Sequence, residues 1–204
     1  MAGNCVKRPA LLFVVLCAAP MSAHAHLVQT GFGSFYDGIA HLAMTPQDVM
    51  IVLGIAMLAG LHSARASRGV LCILPASWLA GELLGGVGPD IAALHALTTV
   101  SFGLVGLFVA LNLKFPAPVV LCVACTAGLL HGYVDGATLT RAGGREWLAL
   151  LGSAVAVFVV ATLVPAVIVS LREGWTRIAV RVAGSWIAAI GMLMLGWLVR
   201  GNLH

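Results

Sequence analysis

The chain has 204 residues, 61% of them hydrophobic and only 9% charged, and its mean hydropathy is +1.05. Soluble domains average about 45–50% apolar and about 25% charged residues, so a water-soluble globule is excluded, and so is a disordered chain, which is polar or highly charged. The formal net charge of +4 is scattered along the chain; with no basic patch there is no nucleic-acid signature.

Residues 1–25 read as a secretory signal peptide. Lys7 and Arg8 form its positive region. Pro9 to Ala19 is an apolar run too short for a bilayer core of about 30 Å. Ala23-His24-Ala25 fits the small-residue cleavage pattern, so His26 becomes the mature N-terminus outside the cytoplasmic membrane. Lys7 and Arg8 are lost with the signal, and with them part of the basic balance.

The remainder, 26–204, reads as one all-α transmembrane domain. About 17–25 apolar residues make one crossing. Six such segments follow: 46–64, 69–86, 90–112, 116–134, 146–171 and 178–199. Short turn-rich linkers separate them, and the longest, 135–145, is too short to fold alone. Gly81-x-x-x-Gly85 and Gly184-x-x-x-Ala188 place small residues on one helix face, where backbones can approach closely. Pro75 and Pro165 are expected to kink their segments.

Basic residues orient the chain. With the N-terminus outside, Arg65, Arg68, Lys114, Arg172, Arg177 and Arg181 fall inside, against Arg141, Arg145 and Arg200 outside. The expected placement is a bacterial inner membrane with both termini outside. Asp37, Asp48, Glu82, Asp90, Asp135 and Glu146 then lie on or near the outer side. So do His26, His41, His95 and His131, while His62 lies inside. Imidazole and carboxylate together suit divalent metals such as nickel, cobalt and zinc.

Within this set, His131 and Asp135 are spaced i, i+4, on one face of a continuing helix. They are either two ligands or a ligand and its orienting carboxylate. His95 and Glu82 lie within apolar segments, where an ionisable group needs a partner. Asp48 has a competing reading: Thr45-Pro46-Gln47-Asp48 resembles a helix start with Pro at the first position. His62 shares a helix face with Asp48 to within about 40° and lies roughly 21 Å further along. The two could mark the entrance and exit of one pathway. His26 is a weaker candidate, through its free amine and ring. Cys122-x-x-Cys125 points away from His131 and reads as packing. Walker A, G-x-S-x-G and H-E-x-x-H motifs are all missing from the sequence. Neither a nucleotide nor an enzymatic reaction is expected.

The stretch Phe35-Tyr36-Asp37-Gly38-Ile39-Ala40-His41, with Thr45-Pro46-Gln47-Asp48, Leu53-Gly54 and Ala59-Gly60, resembles the first conserved block of the HupE/UreJ family. Leu130-His131-Gly132-Tyr133-Val134-Asp135-Gly136 resembles its second block, and Pro75, Trp78, Gly81 and Gly85 fit its second span. The resemblance implies uptake of nickel or cobalt for hydrogenase or urease maturation, with hydrogenase or urease maturation proteins as partners. It also implies metal-binding His41 and His131 and a role for positions 48 and 135. This chain departs from the pattern: Leu42 follows His41, and Asp48 and Asp135 stand where the family commonly has histidine. Carboxylates in those places make a harder site.

The expected function is a secondary permease for a divalent metal ion, most simply nickel or cobalt, carried as substrate. Its metal-binding residues would be His41, Asp48, Glu82, His95, His131 and Asp135, with His62 and His26 behind them. Two alternatives are a non-transporting metal-binding assembly factor and a membrane redox subunit with haem held by histidines such as His95 and His131.

Overall fold

The computed structural model describes residues 30–89, 91–141, 147–170 and 174–201. The signal segment, His26 and Asp90 lie outside them. Among the described residues all regular structure is helical, in seven helices. They are α1 (Ser34–Met44), α2 (Pro46–His62), α3 (Ala64–Gly85), α4 (Ala92–Ala110), α5 (Ala117–Arg141), α6 (Trp147–Ser170) and α7 (Gly174–Gly201).

Helices α2 to α7 fall on the six expected segments. α4, α5, α6 and α7 are each long and apolar enough to cross a membrane, and α1 with α2 adds a fifth if that pair, bent by 80°, is one broken span. By length and composition the count among the described residues is thus four or five, against six expected. α3 falls outside it, and it carries Arg65, Arg68 and Glu82. α5 runs past the expected end at 134 to Arg141, so His131 and Asp135 do sit on one helix. α1 has no counterpart among the expected segments. Pro75 and Pro165 lie inside α3 and α6, and both helices run on through them.

Local chemistry explains the breaks. Thr45 separates α1 from α2: it is extended at φ −96° and ψ 99°, and Pro46 follows at the first helical position. The residue before proline is pushed out of the helical region. The Thr45 hydroxyl donates to the His41 carbonyl at 2.9 Å, closing α1. Ser63 starts α3, its Oγ accepting from Ala66 N at 3.1 Å. Asn112 ends α4 with φ 51°, and Leu113 N donates back to the Phe108 carbonyl at 3.1 Å. This is the left-handed helix stop that glycine or asparagine supports.

Three helix pairs pack backbone against backbone, and glycine is the reason. On α3, a Cβ at Gly81 or Gly85 would strike the α5 backbone at Leu129 or Tyr133. On α5, a Cβ at Gly132 or Gly136 would overlap the carbonyls of Trp78 or Glu82, and one at Gly128 would overlap Ser77 Oγ. Rising numbers on one helix meet rising numbers on the other, so α3 and α5 run parallel. Gly106 and Gly184 join α4 to α7 in the opposite sense, and Gly38 and Gly152 join α1 to α6. Apolar side chains cannot drive such association in lipid, so close packing must.

α2 threads the centre and touches every other helix. Its Ile51, Val52, Ile55, Ala56, Leu58 and Ala59 are wholly buried, with Trp78 and Phe102 against the same core. Asp48 marks one end of α2 and His62 the other, and the functional side chains divide between those two ends.

Candidate functional site

At the Asp48 end, six helices bring polar side chains together inside the bundle. α5 supplies His131, which is completely buried. Its Nδ1–H donates to Asp48 Oδ1 on α2 at 2.7 Å. Its Nε2 lies 2.9 Å from Ser101 Oγ on α4. The indole of Trp78, from α3, stacks on the imidazole at 5.9 Å between ring centres. Both ring nitrogens and one ring face are therefore held.

One turn further along α5, Asp135 is buried and accepts from His41 Nε2 on α1 at 3.3 Å. His41 is the more exposed partner, its side chain 17% accessible against 5% for Asp135. Asp48 and Asp135 are close enough for their charges to repel one another. From half-buried His41 the line runs inward through Asp135 and Asp48 to fully buried His131, and out again to half-buried Ser101 on α4.

Glu82 of α3 is fully buried beside this chain. Its Oε1 accepts from Trp78 Nε1 at 3.3 Å and from Ser153 Oγ on α6. Its Oε2 and the Oδ2 of Asp135 are buried with no hydrogen-bond partner. A buried polar atom in that condition costs about 1–3 kcal/mol, more when charged. The donor set is thus incomplete at two carboxylate oxygens, the atoms a hard or borderline cation would seek.

Among the described residues no three His, Cys, Asp or Glu side chains already form a metal shell. The acidic and imidazole groups instead stand as linked pairs along a line.

The structure brings together His41, Asp48, Glu82, His131 and Asp135. The i, i+4 pair on α5 does not close on itself: Asp135 turns to His41 and His131 to Asp48. Asp48 sits in the first turn of α2, but no side-chain cap forms there and its carboxylate faces His131. The helix start expected at Thr45-Pro46 is present, with Asp48 in its first turn, but without the side-chain cap. His95 is half-buried on α4, and its carbonyl accepts from the hydroxyls of Thr98 and Thr99.

His62 stands apart, at the far end of α2. Its Nδ1–H donates to the Leu58 carbonyl at 2.8 Å, and its Nε2 accepts from Phe115 N at 2.7 Å. Both nitrogens are occupied, Nδ1 within α2 and Nε2 in tying the end of α2 to the segment just before α5. His62 borders a cavity of about 380 Å³ with Ser63, Thr176 and Arg177. Cys122 and Cys125 are free thiols.

Sequence reasoning missed Ser101, Ser153 and Gln47. Gln47 Oε1 accepts from Thr98 Oγ1 at 3.1 Å, tying the start of α2 to α4. The available signal was a run of hydroxyls, Thr98, Thr99 and Ser101, inside an otherwise apolar segment.

Residues 13–194 match the profile of the family described as HupE / UreJ protein. The chain belongs to the HupE/UreJ family. It is 27% identical over 190 residues to Protein HupE of Rhizobium leguminosarum bv. viciae, covering 87% of this chain and 92% of that protein. No solved structure matches. The chain places His41 and His131 on one line with Asp48 and Asp135.

Proposed function

We propose that this HupE/UreJ protein is a secondary permease for a divalent transition metal ion, most simply nickel or cobalt, and that it serves metalloenzyme maturation such as that of hydrogenase or urease. The observation that carries this reading is the pair of buried, unpartnered carboxylate oxygens, Asp135 Oδ2 and Glu82 Oε2, beside a line of imidazoles. Ionisable groups at membrane depth are costly and mark ion pathways. His41 and Asp135 would strip water from an arriving cation. Asp48, His131 and Glu82 would hold it further in. The membrane potential supplies about 2.3 kcal/mol per charge per 100 mV, and twice that for a divalent ion. No nucleotide and no chemical reaction are needed.

Six crossings with both termini outside are part of the proposal. α3 lies parallel to α5, itself apolar enough to span, with contacts from Gly69 against Leu121 to Gly85 against Tyr133. A helix packed along a spanning helix over that length shares its membrane slab. Exposed Trp147 and Trp197 fit one interface and Trp175 the other.

The test is uptake of Ni²⁺ and Co²⁺ into vesicles holding the purified protein and a metal-sensitive dye. Wild type is expected to load the vesicles and His131→Ala to fail. Empty wild-type vesicles would sink the permease reading in favour of an assembly factor that binds metal without moving it. Normal uptake by His131→Ala would remove His131 from the pathway.

A further inference from the structure

His131 has two ring nitrogens, and only one can face an ion. Nδ1 is committed to a carboxylate at 2.7 Å, a charge-assisted bond of the strong kind. Nε2 meets only a neutral hydroxyl, at 2.9 Å. That hydroxyl has one proton and two acceptors, since Ser101 Oγ is also 2.8 Å from the Thr98 carbonyl. Releasing Nε2 is therefore cheap, because Ser101 keeps a partner on α4. Releasing Nδ1 would strand a buried carboxylate.

The spacing adds a second argument. Metal–ligand bonds of about 2.0–2.1 Å at right angles put neighbouring ligand atoms about 2.9 Å apart. Nε2 to Oγ and Oγ to the Thr98 carbonyl measure 2.9 and 2.8 Å. Tetrahedral ligands would stand wider, at about 3.3 Å for the same bonds. One imidazole nitrogen, one hydroxyl and one carbonyl thus meet two of the three spacings of an octahedral face. The ring cannot easily turn from that face, because Trp78 stacks on it and is itself fully buried.

We propose that the permeating ion has an inner position on the α4 side of His131, bound by His131 Nε2, Ser101 Oγ and the Thr98 carbonyl oxygen, with Asp48 acting as the carboxylate that orients the ring. This rests on the permease reading for its ion, but the site is a statement about binding. A ligating histidine usually gives its other N–H to a carboxylate, which fits Asp48 in that role. The ligand set is harder than one of imidazoles alone, and it suits six-coordinate Ni²⁺ or Co²⁺ completed by water. Passage then runs between α4 and α5.

The experiment titrates the purified full-length protein in detergent with Co²⁺ and follows cobalt absorption. Vesicle uptake runs alongside. Ser101→Ala is expected to weaken Co²⁺ binding by about tenfold or more, a loss of the size seen when metal-site partners are removed. Ser101→Thr keeps the hydroxyl and should bind within about threefold of wild type. Ser101→Cys should add a near-ultraviolet sulfur-to-cobalt band that vanishes with His131→Ala, and should turn preference toward the softer Cd²⁺. The proposal is overturned if Ser101→Ala binds Co²⁺ as wild type does. It is also overturned if Ser101→Cys binds Co²⁺ without the band, since the residue would then only position the ring. Wild type that binds Co²⁺ but transports none refutes the permease and leaves the site. Full uptake by Ser101→Ala refutes the site and leaves the permease.

Discussion

Substituting Gly132 by alanine tests the link between helix packing and the site. Its added Cβ would overlap the Trp78 carbonyl and press on Glu82 N. Those are backbone atoms and cannot rotate aside, so α3 and α5 must separate. Alanine gains roughly 0.5–1 kcal/mol over glycine in a helix interior. Overpacking costs about 1–3 kcal/mol, and a backbone clash belongs near the upper end. The expected net effect is a loss of about 2 kcal/mol. Gly196→Ala is the matched control, because nothing lies within 4 Å of a Cβ there. It should be stabilised by the propensity gain alone, roughly 0.5–1 kcal/mol. Thermal unfolding in detergent compares the two. The Gly132 variant should also lose metal uptake per folded molecule, since the moving backbone carries Trp78 off the His131 ring. Equal midpoints for the two variants would refute the backbone-seam argument. A destabilised Gly132 variant with full uptake would refute the coupling of seam to site.

Asp48→Asn should leave the fold largely in place but cut uptake at least tenfold, as expected when a ligand-orienting carboxylate is lost; vesicle assays measure it, and normal uptake refutes the role. His62→Ala should cost about 1–3 kcal/mol, because it breaks bonds to Leu58 and Phe115, while uptake per folded molecule is retained; abolished uptake would return His62 to the pathway. The mature protein should begin at His26, which intact-mass measurement checks. A C-terminal tag should be reached from outside in whole cells, and exclusive labelling from the cytoplasmic side would invert the topology.

Much of the fold was legible because hydropathy alone locates long apolar helices, and α4, α6 and α7 begin and end within a few residues of expectation. α1 was not, since Ser34–Met44 is short and mixed and its Gly38 makes sense only against Ala149. α5 outran its expected end at 134, and the shared face of His131 and Asp135 was legible only given a continuing helix; the partners were not. Asp48 and His131 are 83 positions apart, and no local pattern announces their 2.7 Å contact. The cost of burying charge flagged Glu82 correctly as needing company, without naming Trp78 and Ser153. His62 shows the limit most clearly. Its face and depth were deduced from helix geometry, yet the partner that occupies Nε2 is a backbone amide, and amides leave no trace in composition.

The glycine seams bear on motion. Helices joined backbone to backbone have few side chains between them to repack, so they shear poorly. α3 with α5, and α4 with α7, should each travel as one body. The bundle then has a soft line where the two bodies meet, between α4 and α5, with α2 as its axle. His131 and Ser101 face each other across that line. An ion seated there would sense which way the bodies lean, so the gate would be the relative tilt of two rigid pairs and not a swinging loop.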